Sequence, residues 1–137
     1  MISLEPRSDA LLDRVLVCDD EPLIRQSVAE ALADEFEVEA ADRAVAAIQR
    51  IMRTRYEALV LDLKLPGLGG LDAVPVIKRF DPRLPIIVMT GVASYEIERS
   101  ARASGIFYYL AKPFPLDELT AVVRAAVHFR AGRTDRC

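Results

Sequence analysis

Five short apolar runs alternate with five stretches of helical period, and this alternation constrains the fold more than any other feature of the chain. The runs are Val15–Cys18, Phe36–Ala40, Ala58–Leu61, Ile86–Met89 and Phe107–Leu110. Four of them are nearly continuous in apolar residues, as strands buried on both faces of a parallel sheet must be. Phe36-Glu37-Val38-Glu39-Ala40 instead alternates apolar with acidic residues, which marks an edge strand with one wet face. Strands alternating with helices give a parallel α/β arrangement. Right-handed crossovers over so short a sheet favour a doubly wound, three-layer α/β/α sandwich.

The helical segments carry their own punctuation. The first, from Pro22 to about Asp34, has Pro22 in its first turn and Ile24, Val28, Ala31 and Leu32 on one face. Asp42 is expected to cap the second, with Val45, Ile48, Ile51 and Met52 as its apolar stripe. The turn Pro66-Gly67-Leu68-Gly69-Gly70 leads into the third, where Pro75 predicts a late start or a kink. The fourth runs from Ser94 to Ala103 and is stopped by Gly105. The fifth runs from Asp117 to about Arg130, with Leu116, Leu119, Val123 and Val127 facing inward. Residues 1–12 read as an N-terminal extension, 13–131 as one domain and 132–137 as a polar tail.

A parallel sheet presents functional groups at the carboxyl edge of its strands. Asp19 and Asp20 close the first run, Asp62 the third and Thr90 the fourth, and Lys112 follows the fifth. An acid at a strand end often only caps the next helix, but polar residues at four strand ends on one edge point to a shared site. Three carboxylates alone would repel one another and raise each other's pKa. Such a group suits a hard divalent cation, Mg²⁺ first. Together with a hydroxyl and an ammonium it suits a phosphoryl group.

Composition excludes several other chemistries. The single histidine, His128, rules out sites needing two, and the acids have no His or Cys beside them for a transition metal. A net charge of −3 leaves no nucleic-acid footprint, so direct nucleic-acid binding is not expected. The cations Arg124, Arg130, Arg133 and Arg136 are read as a solvated helix end. Gly67-Leu68-Gly69-Gly70 lacks the third glycine of a dinucleotide fingerprint, and no Walker sequence is present. Cys18 and Cys137 belong to no spaced motif. With no apolar run of membrane-spanning length and no secretion signal, a cytoplasmic setting without membrane attachment is expected.

These residues resemble the receiver domain of two-component response regulators. The matching motifs are Val-Cys-Asp-Asp-Glu at 17–21, Leu-Asp-Leu-Lys-Leu-Pro-Gly at 61–67, Met-Thr-Gly at 89–91 and Lys-Pro-Phe at 112–114. The resemblance implies a CheY-like, flavodoxin-like strand order 2-1-3-4-5 and a non-enzymatic phosphorelay switch. Its phosphoacceptor would be Asp62, charged by a sensor histidine kinase or a phosphotransfer protein. It further implies Mg²⁺ held by Asp20, Asp62 and the backbone carbonyl of Lys64, with Asp19 acting through water. Lys112 and Thr90 would contact phosphoryl oxygens, and Gly91 would leave the approach open. The Lys112–Pro113 bond is often cis in this family.

Tyr109 matches the family's switch aromatic. Rotating into space left by Thr90, it would remodel the face of the fourth helix, fifth strand and fifth helix (α4-β5-α5). Glu96, Arg99, Arg102 and Arg124 on that face could pair with a second copy or a downstream target. Lys64 lies where the family tunes loss of the phosphoryl group, and Gly69 replaces a common Asp or Asn. An aspartyl-phosphate phosphohydrolase would carry an acid where Lys64 stands. A docking module acting without phosphorylation would usually have lost one of the acid, Thr and Lys set. With no further domain after the fifth helix, the expectation is a single-domain regulator or a receiver taken from a longer protein.

Overall fold

A computed structural model describes residues 12–65, 67–92 and 94–132. The extension at 1–12, apart from Leu12, and the tail beyond Gly132, with Cys137, lie outside the described residues. The elements in chain order are β1 (Asp13–Cys18), α1 (Pro22–Leu32), β2 (Phe36–Ala41), α2 (Ala44–Arg53), β3 (Ala58–Asp62), α3 (Gly70–Phe80), β4 (Ile86–Thr90), α4 (Tyr95–Ala103), β5 (Tyr108–Ala111) and α5 (Leu116–Arg130). All strand pairs are parallel, in the order β2-β1-β3-β4-β5. The register sets Val17 opposite Val60, Val60 opposite Ile87 and Ile87 opposite Tyr108. β2 is the edge strand that its alternating pattern predicts, and its Glu37 and Glu39 meet Arg14 of β1 at 3.6 and 3.4 Å.

The period of two along each central strand divides the core. Leu16, Cys18, Leu59, Leu61, Ile86 and Val88 pack on one side with α2, α3 and α4. Val15, Val17, Val60, Ile87 and Met89 pack on the other with α1 and α5. Each fully buried Val, Leu or Ile contributes about 1.5–3 kcal/mol, which is why continuous apolar runs commit the chain to helices on both faces.

Several local expectations need correction. Asp42 does not cap α2; the N-cap position is Arg43, whose Nε donates to the Asp42 carboxylate at 3.3 Å. The buried stripe of α2 is Ala44, Ala47 and Ile51, with Ile48 half-buried, while Val45 and Met52 are about half exposed. The helix rolls toward its small residues because alanines let it lie close on the sheet. α3 begins at Gly70 without delay and carries Pro75 inside it. Pro75 is on the exposed face, where water can reach a carbonyl left without its helical donor. Leu116 is 42% exposed rather than inward, and Val122 and Ala126 take inward positions on α5.

Arg130 is not a solvated cation. Its side chain is only 3% exposed, and its Nη1 donates to Asp81 Oδ1 at 2.9 Å while Nη2 meets Oδ2. Arg124 pairs with Glu35 after α1, at 2.7–2.8 Å, and so turns away from the α4 face assigned to it from sequence. Ser94 caps α4 by accepting from the Ile97 N–H at 3.1 Å, and Gly105 follows that helix at φ +87°.

Candidate functional site

The carboxyl edge of the sheet assembles the polar residues from four strand ends. Asp19 continues the β1 ladder through its N–H to the Ala41 carbonyl at 3.1 Å and is fully buried. Its Oδ1 accepts from the Glu21 N–H at 2.9 Å, and its carbonyl accepts from Arg25 Nη1 at 2.8 Å. Asp62, the last residue of β3, is 3% exposed, and its Oδ1 accepts from the Lys64 N–H at 3.1 Å. Asp20 is exposed at the rim. One carboxylate oxygen from each of Asp19, Asp20 and Asp62 lies within 4.8 Å of the others.

Among the described residues a single ammonium faces this group. Lys112 Nζ lies 3.3 Å from Asp19 Oδ2, 3.4 Å from Asp62 Oδ2 and 3.8 Å from Glu21 Oε1. The side chain reaches them because Lys112 directly follows β5 and its N–H extends the ladder to the Thr90 carbonyl at 2.7 Å. Burial opposes its charge, but Asp62 and Asp19 outweigh that and hold the ammonium above its usual range. Burial pushes the Asp62 carboxyl up, with the Asp19 charge adding to it; the Lys64 N–H and Lys112 only partly oppose this. Burial and the same two acids push the Cys18 thiol up to about 12, so it stays protonated and unreactive.

The remaining expected residues sit on β4 and β5 or in the segments just after β3, β4 and β5. Thr90, 3% exposed, ends β4; its Oγ1 accepts from the Val92 N–H at 3.1 Å and donates to the Val92 carbonyl at 3.3 Å. A Cβ at Gly91 would lie in ordinary contact, 3.9 Å from Lys112 Cδ. The Lys112–Pro113 bond is cis. Tyr109 is half-buried in β5, and its hydroxyl is buried without a hydrogen-bond partner among the described residues. Lys64 enters the site through its backbone.

Sequence reasoning assigned no role to Glu21 or Arg25, which brace Asp19, although Glu21 directly follows the acid pair. It also missed Gly70. A Cβ there would sit 2.3 Å from the Asp62 carbonyl oxygen and 2.6 Å from Leu63 Cα, so α3 starts against the backbone that carries Asp62. Beside Lys112 an apolar groove of about 520 Å³ runs between α1 and the segment after β5, lined by Ile24, Val28, Pro113, Phe114 and Leu116. Leu23 (77% exposed) on α1 and Val92 (54% exposed) after β4 add apolar surface on the elements around it.

The arrangement fits a divalent cation. Three carboxylates converge while one lysine compensates them, and the donors are all hard oxygens. Asp62, buried but for 3% of its surface, lies beside the exposed rim at Asp20, where an anionic group could approach.

Comparison with known proteins bears on the same residues. Residues 15–124 match the family described as the response regulator receiver domain. The chain is 30% identical over 121 residues to the regulatory protein AtoC of Escherichia coli K12, covering 88% of this chain and 26% of that protein. It is 36% identical over 113 residues to the response regulator MprA of Mycobacterium leprae, covering 82% of this chain and 50% of that protein. The chain thus spans half or less of the length of these curated relatives. A CheY-like receiver domain from Methanospirillum hungatei superposes with a TM-score of 0.84 at 25% identity, covering 88% of this chain and 98% of that one. NtrX of Brucella abortus superposes with a TM-score of 0.83 at 31% identity, covering 91% of this chain and 29% of that one.

Proposed function

The chain belongs to the response regulator receiver domain family of two-component signalling, and from that premise we propose that Asp62 is the residue that accepts the phosphoryl group. The observation that carries this reading is the burial of the Asp62 carboxylate against Lys112 Nζ, with Asp19 and Asp20 alongside. The domain proper is taken as residues 13–131, acting in the cytoplasm as a switch rather than an enzyme, with no nucleic-acid or membrane contact of its own.

In the transfer, an Asp62 carboxylate oxygen forms the new P–O bond as the P–N bond to the donor imidazole breaks, the electron pair returning to the ring nitrogen. Asp20, Asp62 and the Lys64 carbonyl, with Asp19 behind them, are the residues that would hold Mg²⁺. When bound, Mg²⁺ offsets charge on the carboxylates and the phosphoryl oxygens. Lys112, held in place by Asp19, supplies a second positive charge that can pass from Asp62 to a phosphoryl oxygen. Thr90 can exchange its local bonds to Val92 for another such oxygen. The donor is a sensor histidine kinase or a phosphotransfer protein. Its histidine must reach Asp62 over the rim, and so its surface would cover the apolar groove between α1 and the segment after β5.

The output is proposed to run through Tyr109. A buried hydroxyl without a partner costs about 1–3 kcal/mol, which favours rotation of the ring once Thr90 moves. That rotation would remodel the α4-β5-α5 face and regulate pairing with a second copy or a target.

The test is mass spectrometry of the protein with a small phosphodonor and Mg²⁺. A single phosphoryl adduct is expected in the natural sequence and none in Asp62→Asn. An adduct persisting in that variant would place the acceptor elsewhere. Beryllofluoride titration followed by amide NMR tests the output, with Tyr109 and α4 expected to shift along with the Asp62 loop.

A further inference from the structure

A cavity of about 590 Å³ opens at the end of the sheet opposite the acid cluster. Leu84 and Pro85 before β4, and Ile106 and Phe107 before β5, form part of its lining; Lys78 of α3 and Phe129 of α5 supply further wall. Phe107 and Phe129 lie with ring centroids 5.5 Å apart and tilted by 47°. The volume lies within the roughly 300–1,000 Å³ typical of small-molecule sites.

Its charge is one-sided. Lys78, Arg83 and Arg130 all line it, and among the described residues no lining residue is acidic. The ion pairs among the described residues include neither Lys78 nor Arg83. The end of Lys78 lies over Gly105, its Nζ 3.7 Å from where a Cβ would stand. Helices α3 and α5 end here, and cations suit helix C-termini. That preference accounts for a positive charge at each end, but not for a concave space between them walled in part by Phe107 and Phe129.

We propose that this cavity binds a small aromatic carboxylate, its ring against Phe107, Phe129 and Leu84 and its carboxylate between Lys78 and Arg83. The site is separate from the acid cluster and ends at Phe107, directly before β5 and two residues before Tyr109, so an occupant would touch the segment that leads into the strand carrying the proposed switch.

The experiment is an amide NMR titration of the chain with naphthalene-2-carboxylate, repeated with the neutral 2-naphthamide. Saturable shifts are expected at Leu84, Ile106, Phe107 and Gly132, with the amide weaker by about tenfold, equivalent to about 1.4 kcal/mol. Lys78→Gln and Arg83→Gln should each weaken the carboxylate severalfold and leave the amide unaffected. Asp62→Asn should bind the carboxylate as the natural sequence does, whatever becomes of phosphorylation. Shifts that fail to saturate, equal affinity for the two probes, indifference to both cation variants, or loss of binding in Asp62→Asn would each overturn the proposal.

Discussion

Asp62 is ionised at a cost, because burial and the Asp19 charge both favour its neutral form. A carboxyl whose folded pKa is raised contributes stability at low pH and loses it as pH rises through the folded value. In the absence of Mg²⁺, Asp62→Asn should therefore be more stable than the natural sequence at pH 7, and the difference should close below the ordinary carboxylate range. Urea denaturation at the two pH values measures this; a variant less stable at pH 7 would mean that Lys112 already compensates the site. Mg²⁺ should raise the melting temperature of the natural sequence, and about 100-fold excess over Kd would add about 2.7 kcal/mol. Asp20→Ala should remove most of that gain in the same thermal scan.

Among the elements, α3 is held most closely to the site. Gly70 lies where any Cβ would meet the Asp62 carbonyl at 2.3 Å, and rigid backbone cannot yield as a flexible side chain does. Gly70→Ala should cost about 1–3 kcal/mol or more, as overpacking does. Gly69→Ala, whose Cβ would find nothing nearer than 4.0 Å at an ordinary φ of −67°, should cost less than about 1 kcal/mol. Chemical denaturation of the pair separates close approach from general loop strain. The glycine run was visible in the sequence. Which glycine was indispensable was not, because that depends on how far α3 descends onto β3.

Across the whole molecule, Arg130 joins the end of α5 to Asp81 after α3, tying together helices from opposite faces of the sheet. Arg130 beside Asp81 holds that carboxyl below the usual range. A lowered carboxyl pKa gives stability above the unfolded value that is lost as pH falls through the folded one. Asp81 is 23% exposed, so solvent screens the pair. Arg130→Met should cost about 2 kcal/mol, less than the 3–5 of a fully buried pair. Its acid-unfolding curve should also be flatter than that of the natural sequence below about pH 4. Stability measured against pH checks both effects.

What the sequence determined by itself is whatever repeats locally or falls at a strand end. The apolar runs at 15–18, 58–61 and 86–89 dictated buried parallel strands, Phe36–Ala40 declared an edge, and Ser94 and Gly105 bounded α4. Strand ends on one edge brought Asp19, Asp20, Asp62, Thr90 and Lys112 into one neighbourhood. Tertiary structure decided what depends on partners distant along the chain. It rolled α2 onto Ala44, Ala47 and Ile51, turned Leu116 toward a groove, paired Arg124 with Glu35 and buried Arg130 on Asp81. Those two arginines sit 89 and 49 residues from their carboxylates. No local period carries a pairing over that distance, and a basic helix end reads the same in sequence whether its charges meet water or a buried acid.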